Sequence, residues 1–436
     1  MATLAGSRHR RRIAGRCRFP VPRSRIRIPV LPVLMEAPPN ARRYLAWLAL
    51  SFAAFIAAAA AFCALTDPYR LFDLPAGLAT EAPRPRASQH VGLVKMLGIS
   101  RVHPRTLILG NSRAEIGFDP LDREWPQAFR PVYNAAIPGS WLRDDIDTLT
   151  HALSTGNLEH VLIGLDFLDF LTDPGTPGKE ETAVSSRAHN LRIEALKTVV
   201  TLDALIDSVL TRAATHDSYA ADITAQGFNP LREYVPIARR EGYGAIFLQR
   251  ETESARYYAR LPHALYVGTT RSSPAWQYLD RLRELAMARH VSVTYVIYPY
   301  HAHTLELFHS FGIWPLFEAW KAHLATILPD DGRGACAVWD FSGYHGFASE
   351  PVPPMGDTRS QVRWYWEAGH FKPELGSRML GRVLGDPPGD FPFGVCLTPA
   401  TVDAHLAGIR ADRERYVRDH PDDMAHLAAI VRRVAP

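Results

Sequence analysis

The sequence predicts an α/β protein with a doubly wound, mainly parallel sheet and a helical insertion, preceded by one transmembrane helix. Three observations predict it. Short apolar runs recur along the body and are continuous rather than alternating, as strands buried on both faces are. Stretches with helical periodicity separate them, and strands that alternate with helices build parallel sheets. One long run without a charge, Tyr44 to Leu65, stands ahead of them all.

That run is 22 residues long, and a helix needs about 20 apolar residues to cross the hydrocarbon core. Arg42 and Arg43 precede it and Asp67 follows it. The positive-inside bias therefore keeps the N-terminus in the cytoplasm and exports the rest. A secretory h-region is shorter, about 7–15 residues, and the bulky Phe62 spoils a cleavage site near Ala61-Phe62-Cys63-Ala64. The run is read as an uncleaved anchor. Residues 1–43 hold eleven Arg against a single acid, Glu36. They read as a basic, disordered cytoplasmic tail, or as partly untranslated, with Met35 as an alternative start.

Residues 66–104 form a linker and lead-in. Five strands follow: Thr106–Leu109, Pro131–Asn134, His160–Asp166, Val291–Tyr298 and Ala337–Phe341. Helical patterns over Leu142–Leu153 and Ala275–Ala288 join strands two to three and lead into strand four. The span 173–273 is too long for one crossover. It reads as an insertion with a helix over Leu191–Ala213 and a polar, aromatic stretch from Tyr219 to Tyr266. It splits the α/β domain into 105–172 and 274–390. Residues 391–436 read as a C-terminal segment with one or two amphipathic helices.

The chain has 436 residues, 47% hydrophobic and 22% charged, enough for a sizeable core and unlike a disordered protein. The net charge of +4 comes from the tail. After position 43 there are 38 basic and 44 acidic residues, so the body is mildly acidic. That argues against a nucleic-acid partner. Neither a P-loop nor a GxGxxG follows the first strand, which argues against nucleotide binding. The four cysteines make no CxxC or zinc-ligand spacing. Cys336 and Cys396 either pair in an oxidising compartment or remain two buried thiols.

Three short motifs can carry chemistry. In Leu107-Ile-Leu-Gly-Asn-Ser-Arg113, Ser112 stands just past the first strand, where a doubly wound fold presents reactive groups. Its hydroxyl needs a base to become a nucleophile; otherwise it is a helix N-cap. In Trp364-Tyr-Trp-Glu-Ala-Gly-His-Phe-Lys-Pro373, His370 suits the first turn of a helix, and Glu367 can orient its imidazole. In Tyr133-Asn-Ala-Ala-Ile-Pro-Gly-Ser140, Gly139 offers a backbone N–H to an oxyanion, or is simply a turn glycine. His301 and His303, with Asp340 and His345 as partners, are too irregularly spaced to predict a metal site.

The order of these motifs resembles the SGNH/GDSL hydrolase superfamily: Gly-x-Ser, then Tyr-Asn…Gly, then an acid, then acid-x-x-His. The resemblance covers about residues 105–384, interrupted by the insertion. It is nearest to the membrane-anchored, extracytoplasmic branch, such as the proteins of alginate O-acetylation. It implies a flavodoxin-like sheet, Ser112 as nucleophile, His370 as base, Glu367 as its acid partner, and backbone donors at Ser112 and Gly139. Arg113, Asn134, Asp166 and His301 would contact substrate. By local sequence, Arg113 could equally pair with Asp119 or Glu115.

The implied protein is a periplasmic-facing inner-membrane serine esterase or O-acyltransferase without cofactor or metal. Its partners would be an acylated glycan or acyl donor, the bilayer through residues 44–65, and other envelope acylation or export proteins. The alternative is an inactive binding or assembly module for envelope polysaccharide. Three departures from the family pattern stand out. Asn111 replaces the Asp of Gly-Asp-Ser, Glu367 replaces an Asp, and Asp166 replaces an Asn that donates to the oxyanion. An ionised Asp only accepts hydrogen bonds.

Overall fold

The computed structural model describes residues 40–72, 74, 82–173, 190–260, 263–269, 272–328, 336–387 and 393–434. The tail through residue 39, with Cys17 and Met35, lies outside them, as does much of the connection from 73 to 81. Two compact units divide the chain after Phe55, and the second holds the whole sheet.

Helix α1 (Ala41–Thr66) is the one helix among the described residues long and apolar enough to cross a membrane. At 1.5 Å per residue it is about 39 Å long. The lead-in contains a helix that periodicity did not reveal, α2 (Val91–Val102). Then come β1 (Thr106–Leu109), α3 (Ser112–Gly117), β2 (Val132–Asn134), α4 (Leu142–Ser154) and β3 (His160–Leu165). The insertion supplies α5 (Leu191–Val199), α6 (Leu202–Ala213), α7 (Tyr234–Glu241) and α8 (Tyr243–Tyr258). The expected single helix over 191–213 is thus two. Thr201 ends the first and caps the second, its Oγ1 accepting from Ala204 N at 3.1 Å.

The second half continues with α9 (Pro274–Ala288), β4 (Ser292–Ile297), α10 (Ala302–Ser310), α11 (Trp314–Ile327) and β5 (Val338–Asp340). A small hairpin of β6 (Tyr365–Glu367) and β7 (His370–Phe371) precedes α12 (Pro373–Leu384). The chain ends in β8 (Val395–Cys396), α13 (Val402–Asp419) and α14 (Pro421–Val434). His370 is therefore on a strand, not in a helical turn. Its helix begins three residues later at Pro373, whose fixed φ suits a first helical position.

The sheet order is β2-β1-β3-β4-β5-β8, with the first five strands parallel. This is the 2-1-3-4-5 order of one of the two common doubly wound folds. Leu107, Ile108 and Leu109 of central β1 have no exposed surface. Each such burial contributes about 1.5–3 kcal/mol, which explains the unbroken apolar run. The order reverses at β1, so a crevice opens beyond the carboxyl ends of β1 and β3. Strand β8 runs antiparallel to β5 and was not foreseen, being only two residues long. A disulfide joins Cys336 beside β5 to Cys396 in β8, with Cα atoms 5.7 Å apart.

Buried charges fasten the C-terminal helices. Arg413 of α13 forks onto Glu306 of α10 at 2.8 and 2.9 Å. Glu251 of α8 accepts from His303 of α10 at 2.6 Å and from His426 of α14 at 2.7 Å. Asp423 lies 3.5 Å from the other nitrogen of His303. Burial opposes the charge on His303, but Asp423 and Glu251 outweigh it and raise its pKa to about 9. Burial likewise opposes the charge on Glu251, but the two histidines hold it at about 2.

The sign follows by linkage. The His303 contribution is complete below its ordinary 6.5 and lost as pH rises through about 9. The Glu251 contribution is complete above its ordinary 4.5 and lost as pH falls through about 2. Thermal unfolding from pH 6 to pH 10 should therefore show the wild-type Tm falling toward that of His303→Gln. Parallel curves for the two proteins would contradict the ion cluster.

Candidate active site

Ser112 is the first residue of α3, directly past β1. The turn before it needs a glycine. Gly110 has φ +129°, and a Cβ there would meet the Tyr298 hydroxyl at 2.6 Å and the Gly164 carbonyl at 3.1 Å. Asn111 caps the helix, its Oδ1 accepting from Arg113 N at 3.1 Å. The Ser112 N–H, at the first helical position, has no partner from the helix ladder itself.

His370 arrives from far along the chain because the β6–β7 hairpin docks on α3. The last residue of α3 is Gly117, and a Cβ there would lie 2.1 Å from the Phe371 ring. Helix α12 closes in the same way. A Cβ on Gly376 would lie 1.8 Å from the Gly117 carbonyl. Both hairpin-loop carbonyls are held from outside. Thr304 Oγ1 donates to Ala368 O at 2.7 Å, and Arg113 Nε donates to Gly369 O at 2.6 Å.

This docking sets Ser112 Oγ 2.7 Å from His370 Nε2. The opposite ring nitrogen, Nδ1, bonds Glu367 Oε1, so Nδ1 is assigned the proton and Nε2 accepts from the serine. Glu367 Oε2 accepts from Gly369 N at 2.6 Å. Arg250, on insertion helix α8, brings Nε to 3.3 Å from Glu367 Oε1. Glu367 is buried, which alone would raise its pKa. His370, Arg250 and the Gly369 N–H outweigh that and hold it at about 2. Ser112 and the His370 ring retain partial exposure, so a substrate can reach them.

Asp166 follows β3 and faces Ser112's loop across the crevice. Its Oδ2 accepts from Asn111 Nδ2 at 2.8 Å and from Arg113 Nη1. Its Oδ1 accepts from Tyr300 Oη at 2.8 Å and from Leu168 N at 3.2 Å. Asn111 and Asp166 thus meet in one hydrogen bond. Arg113 pairs with Asp166, not with Asp119 or Glu115, and lies over the Tyr300 ring at 5.3 Å. Both groups are engaged in holding the loops together.

The other expected contacts separate. Gly139 has φ +70° and open space around it. Its turn sits on the loop that leads to Ser112, with Ile137 N and Ser140 Oγ donating to Gly110 O at 3.0 and 3.1 Å. Asn134 is fully buried and ties β2 to α3, its amide donating to Ala114 O, Glu115 O and Phe118 O at 2.9, 3.2 and 2.8 Å. His301 is also buried. It caps α10 and bonds Glu350 O at 2.9 Å, and burial, aided by His303, lowers its pKa to about 3. Neither Asn134 nor His301 opens onto the crevice. Asp340 bonds Lys321, His405 and Ser342 instead. Among the described residues no group of three His, Cys, Asp or Glu side chains could hold a metal ion.

Sequence reading missed Arg250 and Tyr300. Arg250 lies in the insertion with no motif around it. Tyr300 stood two residues past a predicted strand end, a position that points into the crevice in this fold class. It also missed Asp145 on α4, which accepts from Gly110 N at 3.3 Å. Burial, reinforced by Asp144, raises its carboxyl to about 7 against the lowering effect of that bond. Compared with known proteins, the chain matches no family model and has no significant similarity to a curated sequence.

The Asn111–Asp166 pair predicts a swap experiment. Asp166→Asn leaves Arg113 facing no charge and should cost about 3–5 kcal/mol. Adding Asn111→Asp returns a carboxylate to the same cluster and should recover most of that loss. Urea unfolding of the full chain in detergent measures both. A double variant as unstable as the single one would refute the coupling.

Proposed function

We propose that the chain is a membrane-anchored, SGNH-like serine esterase or O-acyltransferase acting on acylated glycans or other acylated molecules of the bacterial envelope. The observation that carries this reading is the relay Ser112 Oγ–His370 Nε2 at 2.7 Å, backed by Glu367 on Nδ1. A serine in reach of an oriented imidazole is the arrangement that acyl transfer requires. The 2-1-3-4-5 order supports the fold likeness, but fold alone does not fix activity.

In the proposed reaction Ser112 Oγ attacks the ester carbonyl as its proton passes to His370 Nε2. Glu367 stabilises the imidazolium. The Ser112 and Gly139 N–H groups receive the developing oxyanion. His370 returns the proton to the departing alcohol, leaving acyl-Ser112. Water or a sugar hydroxyl then gives its proton to His370 and takes the acyl group, and as the acyl–oxygen bond to Ser112 breaks, His370 returns that proton to Ser112 Oγ. The Cys336–Cys396 bond supports an oxidising compartment for the domain. Arg42 and Arg43 before α1 support a cytoplasmic N-terminus and a periplasmic domain in an inner membrane.

A second reading rests on Asp166. A carboxylate accepts and does not donate, and four donors already hold Asp166, so it adds no third oxyanion donor, and one lost donor typically costs about 10²–10³ in rate. A chain that kept the fold without useful turnover would be a polysaccharide-binding or assembly module. A fluorophosphonate probe separates the two on the full chain in detergent. The enzyme reading predicts labelling that Ser112→Ala abolishes and His370→Ala slows by roughly 10²–10⁴-fold. Folded protein that takes no label would favour the module.

A further inference from the structure

The insertion hairpin α5–α6 is built inside out. On α6 the residues turned inward are Ala204, Asp207, Ser208 and Thr211, small or polar. The residues turned outward are aliphatic: Leu202 is 73% exposed, Val209 56% and Ile206 52%. On α5 the inward residues are Ala195 and Val199, while Leu196, and Val200 just past the end of the helix, are 56% and 58% exposed. Leu202, Ile206 and Val209 recur at the helical spacing that makes one stripe. A water-facing helix carries the opposite pattern, and contiguous apolar surface of this kind marks an interaction site.

The inward side of the hairpin packs on the end of α1. Ala195, Val199 and Ala204 share one cluster with Cys63 in the last turn of α1 and with Tyr69 and Leu71 just beyond it. Polar bonds lock this junction. Tyr69 Oη donates to Asp207 Oδ2 at 2.7 Å, and Arg70 meets Asp222 at 3.4 Å. The outward stripe therefore begins where a membrane-length helix ends. Lys197, paired with Glu194 at 3.0 Å, and Arg212 are exposed cations on the same hairpin, with Asp203 exposed beside them. The stretch 174–189, which precedes the hairpin in sequence, holds one aliphatic residue larger than Ala, Val184.

We propose that the α5–α6 hairpin lies in the bilayer interface, with Leu196, Leu202 and Ile206 inserted among the acyl chains. It is a second membrane contact beside α1, and it fixes how the α/β domain is held over the lipid surface. The inference rests on reading α1 as a membrane span, so the test reports on the two separately.

The full chain, in a Cys17→Ser, Cys63→Ala background, is reconstituted into phosphatidylcholine vesicles. An environment-sensitive fluorophore is placed in turn at Phe55→Cys, Leu196→Cys, Ile206→Cys and Glu284→Cys. Each variant is measured in vesicles with and without brominated acyl chains, after its Tm is shown to match the parent. The proposal predicts roughly two-fold quenching at 196 and 206, as for a helix lying in the interface, quenching also at 55 within the span, and none at 284. Quenching at 55 alone would overturn the hairpin contact and leave the span. No quenching at any position would overturn both. Labels at 196 and 206 that read as buried but escape the bromines would assign the face to a protein partner and also overturn it.

Discussion

His370 and Ser112 become neighbours because α3 ends in a residue without a side chain. Gly117 leaves room for the Phe371 ring, and Phe371 carries His370 beside it on β7. Gly376 then lets α12 close behind the hairpin. Any Cβ at these points would push the imidazole away from the serine, since protein interiors have no slack to absorb it. Arg113 adds the electrostatic half of the same constraint. It reaches from the residue after Ser112 to the Gly369 carbonyl and to Asp166, so one guanidinium spans the Ser112 loop, the hairpin and the end of β3.

The scaffold was legible because parallel strands leave strong traces. Leu107, Ile108 and Leu109 must be apolar on both faces, and the lengths between such runs suit crossovers. Elements of two or three residues leave no such trace. Strand β8 exists through pairing with β5 and the Cys336–Cys396 link, and β7 exists through its turn and the support of α3. The break at Thr201 was hidden for another reason. Both helices keep apolar periodicity through it, and that periodicity faces outward.

Within the site, motif order singled out Ser112, Glu367 and His370, the residues whose side chains the fold joins in a chain of hydrogen bonds. Motif order could not tell a substrate contact from a strut. Asn134 and Asp166 follow strands as substrate-binding residues do, yet their hydrogen-bonding groups are engaged by the protein itself. The Asn111–Asp166 bond joins the loops after β1 and β3 directly.

The most direct test of this account is proton NMR of the full chain labelled with ¹⁵N-histidine. A proton held between His370 Nδ1 and Glu367 should resonate strongly downfield and persist in Ser112→Ala. It should vanish in Glu367→Gln. A spectrum with no such proton at any pH, or one unchanged by Glu367→Gln, would contradict the assembled relay.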